Sequence, residues 1–169
     1  MTHIGLEELH LHRLLVAVDG SDSSQLALRA AITAARRDHA AVTLICVVSH
    51  ARANFSVVAG LPPVTQEELD AEADGILRRA IAMVPEDIPV RTVVKRGKPG
   101  PAIVAHAREK DYDAILLGAR GVGRVGAIIG SVSAYVMRHA ETAVFVAHEP
   151  LGDGAAPAEE AGAADAPQT

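Results

Sequence analysis

The sequence predicts an α/β domain with a doubly wound parallel sheet, and three observations carry that prediction. Short apolar runs alternate with segments of helical spacing five times along the chain, which is the pattern of successive βαβ units. The strand runs are continuously apolar rather than alternating, as expected when helices cover both faces of a sheet. The length, 169 residues, suits one such domain.

Each element has its own signal. Arg13–Val18 (RLLVAV) is a short branched run, closed by Asp19-Gly20-Ser21-Asp22 as turn chemistry. The segment SSQLALRAAITAARRDH follows with helical spacing, which directs Leu26, Ala30, Thr33 and Ala34 to one face and Arg29, Arg36 and Arg37 outward. Val42–Val48 (VTLICVV) is the second strand, and 49–64 is a loop closed by Pro62-Pro63. Thr65 and Glu68 form a capping box ahead of EELDAEADGILRRAIAMV. Pro85 and Pro89 bracket a turn into the third strand, Val90–Lys95. Gly97-Lys98-Pro99-Gly100-Pro101 leads into the helix AIVAHAREK. Ala114–Leu117 is strand four, ending at Gly118. The helix SVSAYVMRHA and the fifth strand, Ala143–Ala147 (AVFVA), complete the set.

The folded domain is expected to span 13–150. Residues 1–12 read as a mobile arm, and 151–169 (LGDGAAPAEEAGAADAPQT) as a disordered acidic tail with almost nothing to bury. Apolar residues make up 49% of the chain, but Trp is absent and Phe and Tyr number two each, so the core is aliphatic. The net charge of −5 argues against a nucleic-acid partner, which calls for a basic footprint. One cysteine, Cys46, precludes an internal disulfide and suits a reducing compartment. MTHIGLEELHLH lacks the cationic start and apolar core of a signal peptide. No stretch approaches the ~18 uninterrupted apolar residues of a membrane span. The expected location is the cytoplasm.

Residues 121–126, GVGRVG, match the glycine pattern of dinucleotide-binding loops. That pattern belongs after the first strand of a βαβ unit, with an acidic residue about 20 positions on at the end of the next strand. Here it follows strand four, Glu141 precedes strand five, and no second nucleotide half remains. NAD binding is therefore not expected. A wider spacing is more informative: Gly118, Gly121 and Gly130-Ser131 form G-x2-G-x8-G-S at the carboxyl end of a strand and the start of a helix. Free backbone N–H groups and the helix dipole favour an anion there. Ser131 adds a hydroxyl donor, and Arg120 and Arg124 place cationic donors in the same loop. The alternative for each glycine taken singly is a plain turn. Ligands of open α/β sheets sit outside the carboxyl ends of the strands, where strand order reverses. If strands one and four are neighbours at that point, Asp19 accepts a hydrogen bond from a ribose or an adenine amine, and Val47 walls an apolar base pocket. The alternative for Asp19 is a turn or helix-capping role.

VAVDGSDSS, RGKPGPAIVAHAREKDYDAILLGARG and GSVSAYVMRHAETAVFVAH together resemble the universal stress protein family over about residues 12–148. The resemblance implies five parallel strands in the order 3-2-1-4-5 and a homodimer through the last strand, residues 143–148. It also implies bound ATP in the branch that bears G-x2-G-x9-G-[ST]; independently of the resemblance, Mg²⁺ is expected to arrive on the phosphates, with Asp19 or Ser131 nearby. This chain has every fixed position of that motif with an eight-residue spacer. Carried over position by position, Ala17, Val18 and Asp19 contact the adenosine end, Val47 the base, and Leu117 and Gly118 the ribose side. Gly121, Gly130, Ser131 and Val132 line the phosphates.

The usual catalytic sets are missing: the sequence has no G-x-S-x-G, H-E-x-x-H, C-x-x-C or G-x4-G-K-[ST]. No catalytic residue and no dedicated metal cage is assigned, and His10 and His12 read as surface histidines. His106, His139 and His148 read as helix-face or strand-end residues, and Cys46 as an inert core thiol. VAVDGSDSS faintly resembles the S-G-G-x-D-S loop of ATP pyrophosphatases, so adenylating chemistry or slow ATP hydrolysis is one alternative. A partner-binding regulator with a vestigial nucleotide site is another.

Overall fold

The computed structural model describes residues 10–49, 64–119 and 129–148. Among these residues nine elements follow one another: β1 (Arg13–Ala17), α1 (Asp22–Asp38), β2 (Ala41–Val48), α2 (Gln66–Ile81), β3 (Val90–Arg96), α3 (Pro99–Glu109), β4 (Ala114–Gly118), α4 (Ser131–His139) and β5 (Ala143–Ala147). The strands form one parallel sheet in the order β3-β2-β1-β4-β5. This is the doubly wound architecture with the expected strand order, and the reversal falls between β1 and β4.

The sheet is buried on both faces, which accounts for the continuously apolar strands. In β1, Leu14 and Val16 point into one core and Leu15 into another, all with no exposed surface. The first core joins the sheet to α1 and α2; the second joins it to α3 and α4. Each fully buried Leu or Ile side chain contributes ~1.5–3 kcal/mol relative to leaving it exposed. With almost no aromatic bulk, both layers rely on close approach of small residues. Gly100 of α3 shows this: a Cβ there would lie 2.7 Å from the Tyr135 ring of α4.

Three expectations are corrected. Helix α1 buries Ser24, Ala27, Leu28, Ala31 and Ala35, while Ala30 and Thr33 are exposed and Leu26 and Ala34 half-buried. The inward face is rotated by about one residue step. The segment carries apolar residues nearly all round, so periodicity is indecisive. The strip Ala27, Ala31, Ala35 wins because small side chains let α1 pack close to β1 and β4. Second, α3 begins at Pro99, not after the prolines. The first-turn N–H groups have no intrahelical partner, so proline is free of cost there. Third, Leu11, expected in the mobile arm, is 3% exposed and joins the first core. Its backbone N–H donates to Asp38, and those of His12 and Arg13 donate to Asp113. Residues 1–9 of the arm, residues 50–63 of the loop with Pro62-Pro63, and the acidic tail lie outside the described residues.

The expected capping box is present. The Thr65 hydroxyl accepts from the Glu68 N–H, and the Glu68 carboxylate accepts from the Thr65 N–H. The Thr65 N–H, and then the Thr65 hydroxyl, donate to the Glu68 carboxylate and hold its carboxyl below its usual range. Among the described residues, no helix is long and apolar enough to cross a membrane.

Candidate functional site

A cleft of about 200 Å³ opens at the carboxyl edge of the sheet, on the α3–α4 face. Its floor is where β1 and β4 lie side by side and their connections leave in opposite directions. Ala17, Val18 and Asp19 reach it from β1, Val47 from β2, Leu117 and Gly118 from β4, and Gly130, Ser131 and Val132 from the start of α4. All nine described residues of the expected set therefore line one cavity. Arg120, Gly121 and Arg124, together with the rest of GVGRVG, lie outside the described residues.

The polar end at β1 is organised by a compact turn. Asp19 Oδ1 accepts from the Ser21 N–H at 3.0 Å and from the Ser21 hydroxyl at 2.5 Å. Ser21, not Asp19, caps α1, accepting from the Ser24 N–H. Asp19 is exposed at the cleft and keeps Oδ2 free of the turn's bonds. It is the only carboxylate among the described lining residues.

The opposite end is the start of α4. Gly130 occupies the capping position with no side chain to offer, and no side-chain cap satisfies the first turn. Its own N–H donates to the Ala119 carbonyl at 2.6 Å, which closes the base of the 119–130 connection. The N–H groups next along the helix, with the positive end of its dipole, face the region where Ser131 and Val132 line the cleft. Arg138 and His139 in the last turn complement the other end of the dipole.

Sequence reasoning missed five lining residues: Ser24, Ile45, Pro99, Ile103 and Ser133. Pro99 and Ile103 belong to α3, which the topology swings over the cleft from β3. Nothing local to them signals that position. Ser133 is 3% exposed, and its hydroxyl donates to the Gly118 carbonyl at 2.7 Å, tying α4 to the end of β4. The only signal for it was a polar residue on the inward face of an otherwise apolar helix. Gly118 is also more than a ligand glycine. A Cβ there would lie 2.5 Å from Ser23 Oγ and 2.6 Å from its backbone carbon, so α1 can seat against β4 only if position 118 is glycine.

The cleft thus has apolar walls (Ile45, Val47, Ile103, Leu117), a carboxylate at one end and a helix N-terminus at the other. That suits a flat, weakly polar ring with hydroxyls and an anionic tail. Among the described residues, no histidine or cysteine lines it. Cys46 is 4% exposed on the other face, and burial, reinforced by Asp19, Glu72 and Asp74, pushes its thiol up to about 11. His106 is buried beside Tyr112, with Nδ1 unpartnered and its pKa lowered by desolvation and by Lys95. Among the described residues, no group of three His, Cys, Asp or Glu side chains is placed to hold a metal.

The model of the universal stress protein family matches residues 10–148. A universal stress protein of Methanocaldococcus jannaschii is 30% identical over 145 residues, covering 82% of each chain. The solved universal stress protein UspA of Lactobacillus plantarum is 30% identical with a TM-score of 0.66, covering 82% of this chain and 99% of that one. The universal stress protein of Archaeoglobus fulgidus, solved in complex with dAMP, shares the fold at a TM-score of 0.61 and 23% identity, over 83% of this chain and 99% of that one.

Proposed function

The chain belongs to the universal stress protein family, and we propose that it is a cytoplasmic, ATP-binding regulator that works as a homodimer. One observation carries the nucleotide reading: nine residues from four separate elements, spread over more than a hundred positions of sequence, converge on one cleft. A fold-mate bound to dAMP supports an adenine nucleotide as the class of ligand.

In this reading the adenine ring lies between Val47 and the apolar wall of β1. Ala17 and Val18 act through backbone and packing, and Asp19 accepts from the adenosine end. Leu117 and Gly118 border the ribose. Gly130, Ser131 and Val132 receive the phosphates at the α4 N-terminus, with Arg120, Gly121 and Arg124 supplied by the preceding loop. Mg²⁺ is held chiefly by phosphate oxygens and water, as is usual for this ion. ATP serves as a ligand rather than a substrate. Asp19 is given over to its turn through Oδ1 and to the adenosine end through Oδ2, and among the described residues no other acid or base lines the cleft to activate water.

The dimer reading rests on β5. It is a sheet edge in this chain, short and apolar, with Phe145 37% exposed. An unpaired apolar edge is a liability that pairing with a second copy removes.

Calorimetric titration of the full chain with ATP and Mg²⁺ tests the nucleotide reading. Micromolar affinity is expected, with weaker binding of NAD. Asp19→Ala is expected to weaken ATP by about tenfold or more, the scale of one lost hydrogen bond to a charged group. No heat and no thermal shift at millimolar ATP would overturn the proposal.

A further inference from the structure

A second cavity lies on the other face of the sheet, between α1 and α2. It holds about 270 Å³, several times the ~30 Å³ that one water occupies in the liquid. Val18, Leu28, Ile76 and Met83 form its apolar lining; Gln25, half-buried, and Arg79, exposed, line it on the solvent side, its mouth. It shares only Val18 and Ser24 with the cleft described above.

The mouth is where the chemistry lies. Arg79 enters none of the ion pairs found among the described residues. Four other arginines, Arg36, Arg37, Arg96 and Arg108, each meet a carboxylate. The Arg79 guanidinium instead folds back along α2 toward Gly75 and Gly20, so that a Cβ on either glycine would lie within 4 Å of it. The Gln25 side chain, one turn into α1, has no hydrogen-bond partner among the described residues. A cationic fork and an amide beside an apolar hollow match a ligand with an anionic head and a short apolar tail. The tail gains from leaving water. The head gains a charge-assisted, two-pronged bond that the protein does not supply from its own residues.

We propose that the α1–α2 cavity is a second ligand site, taking a small monocarboxylate with a short aliphatic chain. The carboxylate sits against Arg79 and Gln25, and the chain lies over Leu28 and Ile76. This assignment is independent of the nucleotide reading, because Arg79 and Gln25 are absent from the nucleotide cleft.

Amide chemical shifts of the full chain, followed during titration with hexanoate at neutral pH, test the site directly. Saturable shifts are expected at Gln25, Leu28, Ile76 and Arg79, and they should persist with ATP present. Hexan-1-ol, with the same chain and no charge, should bind about tenfold more weakly. Arg79→Gln should weaken hexanoate about tenfold and leave hexan-1-ol unchanged, whereas Arg79→Lys should restore part of the hexanoate affinity. Arg79 is exposed, so these variants fold. Equal binding of hexanoate and hexan-1-ol would overturn the proposal by reducing the cavity to an unselective apolar hole. Shifts centred on Ala17 and Val132, or no shifts at millimolar hexanoate, would overturn it as well.

Discussion

Gly118 carries two requirements in one residue. Its position at the end of β4, opposite Asp19, is legible in the sequence as part of a glycine set around a phosphate. The structure adds that Ser23 of α1 occupies the volume a methyl group would need, with both side-chain and backbone atoms inside 3 Å. A Gly118→Ala variant cannot relieve this by turning one flexible side chain, because the Ser23 backbone carbon is among the blocking atoms. We expect destabilisation of ~1–3 kcal/mol, the usual cost of overpacking, read as a lower denaturant midpoint with an unchanged slope. A substitution that lowered ATP affinity without moving that midpoint would show the glycine to be purely a ligand residue. Cys46 teaches the reverse lesson. The sequence alone marked it as an inert core thiol, and its burial and raised pKa agree.

At the scale of elements, start and stop signals were more readable than faces. The Thr65–Glu68 capping box was visible as a spacing and exists as a pair of bonds. The inward face of α1 was misread, because an alanine-rich helix presents apolar groups in most directions and only the sheet beneath it selects among them. The end of α1 holds a contact no sequence pattern announces. Asp38 accepts two bonds from Arg37 and one from the Leu11 N–H, joining the helix end to the segment before β1. The Arg37 bonds, helped by the Leu11 N–H, lower the Asp38 pKa to about 2. A carboxyl with a folded-state pKa below its unfolded value of ~3.9 favours folding above the unfolded value. That contribution is lost as pH falls through the folded one. Stability should therefore decline between about pH 4 and pH 2, and Asp38→Asn should flatten that limb when unfolding is measured across it. An unchanged acid limb in the variant would assign the decline to other carboxyls.

For the molecule as a whole, the two edges of the sheet differ in kind. The outer strand β3 carries Arg91, Lys95 and Arg96, and such charges discourage pairing with another chain. The opposite edge, β5, reads AVFVA and offers no charge at all. That asymmetry favours self-association through β5 alone. Wild-type protein is expected to sediment as a dimer at micromolar concentration. Phe145→Lys should shift it toward monomer with ATP affinity unchanged, since Phe145 lies outside the nucleotide cleft. A wild-type monomer under those conditions would overturn the dimer. The molecule also presents two cavities on opposite faces of one sheet, with Val18 and Ser24 as their common wall.

The order of residues along the chain specifies the five strands, the parallel class of the sheet and the residues at the carboxyl ends of β1, β2 and β4. Each of these is written locally, in apolar runs, turn residues and glycine spacing. It also argues against the NAD reading, because the position of GVGRVG after the fourth strand is a matter of order along the chain. Packing alone brings Pro99, Ile103 and Ser133 into a cleft with Asp19, makes Ala27, Ala31 and Ala35 the inward strip of α1, and sets Arg79 beside an apolar hollow. These depend on contacts between segments far apart in sequence. Such contacts are chosen by how side-chain volumes fit between helices and sheet, a property of packed pairs that no single stretch of chain encodes.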